Sequence, residues 1–67
     1  MVSASVIGKR LTKLRGERTQ DKVAEDNGIS RSAISMYESG ERIPRDEIKC
    51  KLASYYNSTI EAIFYAE

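Results

Sequence analysis

Histidine and tryptophan are absent from this chain of 67 residues, and cysteine, proline and phenylalanine occur once each. A single cysteine excludes an intramolecular disulfide, and without histidine no zinc-ligand set can be assembled. No metal and no cofactor are expected. The missing histidine also removes the commonest general base. No nucleophile–base pair stands in a recognisable motif and no glycine-rich phosphate loop is present, so an enzyme is not expected. Cys50 is expected as a small buried hydrophobe rather than a reactive thiol. No apolar run approaches the roughly 20 residues of a membrane helix, and nothing resembles a signal peptide. The expectation is a cytoplasmic protein with no membrane partner. So short a chain buries only roughly 60% of the surface its unfolded form exposes. One domain spanning 1–67 is therefore expected, with a small core and no room for an effector pocket. No small-molecule ligand is expected.

What is present is an uneven charge distribution. The net charge is only +1. Residues 1–31 carry seven basic and four acidic side chains, whereas 32–67 carry four basic and six acidic. Five of the basic residues fall between Lys9 and Arg18, a pattern that suits one face turned toward a polyanion.

Helical spacing runs through the chain. Residues 1–5 are short and polar enough to fray. Ile7, Leu11 and Leu14 then form a stripe ending near Gly16. Thr19 reads as the cap of a second helix from about Gln20 to Asn27, with Val23 and Ala24 inward and Asp21 favoured by the helix dipole. Ser30 caps a third helix, Arg31 to about Glu38, with Ala33, Ile34 and Tyr37 inward. Pro44 or Asp46 opens a fourth, with a stripe of Ile48, Leu52 and Tyr55 flanked by Cys50, Ala53 and Tyr56. Thr59 caps a fifth, with Ile60, Ile63 and Phe64 inward. No segment alternates as a strand, so the expected fold class is all-α.

The second and third helices, joined by a short turn containing glycine, fit a helix-turn-helix over about 20–38. Steep crossing at close range needs a small residue within the first of them, which Ala24 supplies. Gly28 makes the reversal, Ile29 plugs the wedge, and Ile34 and Tyr37 anchor the second. The outer residues of that second helix are then Arg31, Ser32, Ser35 and Met36. Short side chains let a helix approach the floor of the DNA major groove. Arginine there makes the commonest specific base contact, to guanine O6 and N7. Serines serve several bases, and methionine can meet a thymine methyl. Around them, Gln20, Ser30 and Ser39 are expected at helix N-termini, where phosphate is favoured, and Arg42 and Arg45 in the following loop can reach the same strand.

The run "TQDKVAEDNGISRSAISMYESGERIP" resembles the Cro/repressor-type (Xre-like) helix-turn-helix proteins of bacteria and their phages. The likeness extends to "IGKRLTKLR" and "KLASYYNSTIEAIF", covering roughly Val6 to Phe64. The resemblance implies a five-helix lambda-repressor-like domain that binds operator DNA, usually as a symmetric dimer. It assigns phosphate contact to Gln20 and base reading to Arg31, Ser32, Ser35 and Met36. It also gives Glu38 a structural pairing with a basic residue of the first helix, Arg15 or else Lys13. The chain departs from the family pattern at several points. The connection after Arg15 is short. Arg18, Asn27, Asp46 and Lys49 stand where apolar residues are usual, and a rotation of the fourth helix onto Ile48 would compensate at Lys49.

Tyr65 and Ala66 have little left to bury them, and an exposed apolar patch on so small a domain suggests a homodimer surface. The function expected is sequence-specific transcriptional regulation, as a repressor occupying palindromic operator DNA. The competing reading is a protein-interaction module of the same fold, antitoxin-like or an anti-repressor partner, without operator binding of its own.

Overall fold

A computed structural model describes all residues, 1–67. Four α-helices, α1 (Ala4–Arg15), α2 (Gln20–Asn27), α3 (Arg31–Ser39) and α4 (Asp46–Tyr55), are followed by a single π-helical segment, Glu61–Tyr65. There are no strands. The architecture is the all-helical one expected of a lambda-repressor-like domain.

Local chemistry explains the element ends. Thr19 accepts from the Lys22 N–H at 3.0 Å and Ser30 from the Ala33 N–H at 3.1 Å, each satisfying an orphan amide of a first helical turn. Gly28 closes α2 in the left-handed conformation (φ 65°, ψ 34°), and its N–H returns to the Ala24 and Glu25 carbonyls. The start of α1 differs from expectation. Ser3 caps it by accepting from the Val6 N–H, so Ala4 and Ser5 lie in its first turn. The Val2 N–H donates to Phe64 O at 3.3 Å, which ties the N-terminal segment to the far end of the chain. Asp46, not Pro44, begins α4, and Arg45 before it makes no side-chain cap.

The core is one cluster of Ile7, Leu11, Val23, Ala24, Ala33, Ile34, Tyr37, Leu52, Ala53, Tyr56, Ile63 and Phe64. Gly8 permits the tightest approach within it. A Cβ there would lie 2.9 Å from the Glu38 carbonyl carbon and 3.0 Å from Tyr37 O, so α1 crosses the C-terminal turn of α3 backbone to backbone.

Two expectations for α4 are overturned. Cys50 is exposed, and Lys49 is buried with 6% exposure. The helix has not rotated onto Ile48, which is only half-buried. Lys49 stays inward because its ammonium is served by the π-helical segment and by Asp46 on its own helix. It lies 5.6 Å from the Phe64 ring centroid and 5.2 Å from that of Tyr65, with Tyr65 Oη at 3.4 Å and Asp46 Oδ1 at 3.6 Å. Its aliphatic stem fills the apolar place and the charged head snorkels to the rim.

The last segment also departs from a regular α-helix. Thr59 caps it as expected, accepting from the Ala62 N–H at 2.9 Å. The Ala66 N–H then reaches Glu61 O, five residues back. Arg10 of α1 donates to the carbonyls of Ala62, Ile63 and Ala66. Those acceptors have no further turn to bond to, and a guanidinium supplies what the helix cannot.

Candidate nucleic-acid interface

The turn between α2 and α3 is built by Gly28 and Ile29, whose N–H donates to Ala24 O at 2.9 Å. Ile29 is half-buried and packs on the core. Ala33, Ile34 and Tyr37 bury the inner face of α3. On the other side Arg31, Ser32 and Ser35 are exposed and Met36 is half-buried. Arg31 and Ser35, like Ser32 and Met36, are four residues apart, so the four form one continuous strip. The side chains singled out for base reading therefore share one solvent-facing surface.

Glu38 fixes α3 to the rest of the domain. Its carboxylate accepts from Arg15 Nε at 2.8 Å and Nη2 at 3.1 Å, a bidentate pair, while Arg15 Nη1 donates to Arg18 O at 2.7 Å. Of the two partners allowed by the family resemblance, Arg15 is the one the structure uses. The Glu38 side chain is only 7% exposed, so the pair is partly desolvated and fixes geometry more than it adds net stability. The hydrogen bond to Glu38 pushes the Arg15 guanidinium further above its ordinary range. Nearby, burial and then the Glu38 charge push the Tyr56 phenol up to about 12. Arg18 lies 5.4 Å from the Tyr55 ring centroid and 5.7 Å from that of Tyr56. That explains an arginine at a usually apolar position: the flat guanidinium covers the rings. Asn27, the polar departure at the end of α2, donates to Val23 O at 2.8 Å and so remains half-buried without an orphan group.

The phosphate candidates separate. Gln20, the first residue of α2, donates one amide hydrogen to Glu38 Oε1 at 2.9 Å, and its second amide hydrogen has no partner within the chain. Ser30 spends its oxygen as a cap and keeps its hydroxyl hydrogen. Ser39 is not at a helix N-terminus. It is the last residue of α3, and its hydroxyl donates back to Met36 O at 3.2 Å. It therefore lies at the carbonyl end of α3, where phosphate is disfavoured, and well before the start of α4 at Asp46. Arg42 and Arg45 are exposed and in no ion pair. Asp21, assigned only a helix-dipole role from sequence, lies with Oδ1 3.4 Å from Arg31 Nε. Nothing in sequence periodicity marks that pair, because it joins two helices through the turn.

With this geometry in view, the helix-turn-helix family model matches residues 4–63, nearly the whole chain. The chain belongs to the Xre-like helix-turn-helix family. Searches of curated proteins and of solved structures returned no match. Xre-like proteins are DNA-binding transcription regulators, so the strip on α3 lies on the motif that names the family. No helix is long and apolar enough to cross a membrane.

Proposed function

We propose that this Xre-like protein is a sequence-specific repressor that occupies palindromic operator DNA as a homodimer. Arg31 reads guanine from the N-terminal end of α3, with Ser32, Ser35 and Met36 contributing along the same groove. Gln20, Ser30, Arg42 and Arg45 hold the phosphates. The observation that carries this reading is the division of α3. One face is buried and braced by the Glu38–Arg15 pair, and the other offers short or donor-rich side chains where a solvated helix would carry Glu and Lys.

The dimer is expected to use the end of the chain. Tyr65 (38% exposed) and Met1 (58%) are large apolar side chains left in solvent beside the π-helix. A two-fold pair through this region would set two α3 helices about 34 Å apart, one DNA turn. Sedimentation equilibrium checks the assembly: a concentration-dependent dimer supports it, and a strict monomer up to high micromolar, with operator present, contradicts it. Binding to random duplexes at two salt concentrations tests the interaction-module alternative. DNA binding predicts sub-millimolar affinity falling steeply with salt, and an interaction module predicts none.

A further inference from the structure

Asp21 is an acid on the edge where phosphates are expected, one residue from Gln20. Its first-turn position suits the α2 dipole, but Thr19 already caps that helix. Beside a polyanion an acid is electrostatically costly, so its place asks for a second role. Its one ion pair is with Arg31, and both side chains are open, 78% and 65% exposed respectively. Neither is held there by burial.

We propose that Asp21 is a specificity-determining positioning residue, which orients the Arg31 guanidinium for guanine and suppresses its attraction to phosphate. The inference rests on the reading of Arg31 as a base contact. The geometry gives the mechanism. The Asp21 carboxylate lies 3.4 Å from Nε as an ion pair without an aligned hydrogen bond, and its charge draws the guanidinium toward α2 by the Nε edge, leaving Nη1 and Nη2 open. Guanine O6 and N7 accept two parallel hydrogen bonds from such a fork. A free arginine spreads over many rotamers and binds any phosphate in reach; one restrained and half-neutralised by a carboxylate gains only where both acceptors are in place. The two consequences have opposite signs. Removing Asp21 should weaken discrimination between bases and strengthen indiscriminate binding, a combination that a merely structural residue does not produce.

The test begins with sites selected by the full chain from random DNA. Dissociation constants are then compared for the selected duplex, for the same duplex with the Arg31-dependent base pair exchanged, and for a random duplex. In Asp21→Ala the ratio between the first two is expected to fall about two- to fivefold, the span of an exposed ion pair, while the random duplex binds more tightly. Asp21→Asn, which keeps the shape but removes the charge, is expected to lose the ratio as Asp21→Ala does, whereas Asp21→Glu is expected to retain part of it. In an Arg31→Ala background, Asp21→Ala should leave the ratio unchanged. Equal weakening on all three duplexes, or the same loss of ratio without Arg31, overturns the proposal. Enrichment of a site whose discrimination is unaltered in Asp21→Ala overturns the role of Asp21 alone. A pool with no enriched sequence overturns the base-reading of Arg31 as well.

Discussion

Arg31, Ser32 and Ser35 illustrate how a residue type acquires meaning from its neighbours. Two serines on an exposed helical strip lower helix propensity, and an arginine beside them is unremarkable alone. Set against a buried face of Ala33, Ile34 and Tyr37, the same residues become a surface adapted to close approach. Arg31→Ala is expected to cost roughly 1–3 kcal/mol on the preferred site and to relax one base pair, with little change on random duplexes, read by titrating both. Asp26 offers a check on the chemistry away from that surface. The Tyr55 hydroxyl, 2.7 Å away, and then Lys22 hold its carboxyl below the ordinary range. A lowered carboxylate pKa contributes stability above the unfolded value of 3.8, and that contribution is lost as pH falls through the folded value. In Tyr55→Phe the Asp26 pKa is expected to rise toward 3.8 without reaching it, because Lys22 remains, as NMR titration would show.

Helix ends and helix faces were legible to different degrees. Thr19, Gly28 and Ser30 mark their boundaries by short-range hydrogen bonding, so α2 and the start of α3 were readable from sequence alone. Lys49 and Cys50 were not. Ranking residues by apolarity turns cysteine inward and lysine outward. The aromatic faces of Phe64 and Tyr65, which reverse that order, come from a segment well along the chain. Arg10 was hidden for the same reason: its three carbonyl partners lie more than 50 residues away. Ser39 was misplaced because it ends α3 instead of opening α4, which starts only at Asp46. Gly8 carries a faint signal, since glycine inside a helix costs about 1 kcal/mol relative to alanine. Its reason is the approach to Glu38 and Tyr37, so Gly8→Ala should destabilise by about 1–3 kcal/mol despite better helix propensity. Thermal unfolding of that variant measures the packing between α1 and α3 directly.

At the scale of the whole molecule, the Arg15–Glu38–Gln20 network ties α1, α2 and α3 together beneath the proposed DNA-facing surface. Glu38→Ala leaves Arg15 and Gln20 without that acceptor and is expected to cost about 2–4 kcal/mol in a urea titration. High pH should act on the same region through Tyr56, whose phenol is raised to about 12 from 10.0. A phenol raised in the folded state contributes stability that is complete below pH 10.0 and is lost as pH rises toward about 12. In Tyr56→Phe that part of the alkaline loss should disappear. The central claim is that the free face of α3 reads sequence. Selection of bound duplexes from a random pool, with the unaltered chain and with Arg31→Ala, tests it most directly. Enrichment of a two-fold-symmetric site is expected, with half-sites about 34 Å apart, each containing a guanine whose enrichment vanishes in the variant. An unenriched pool, or the same enriched site from both proteins, would contradict it.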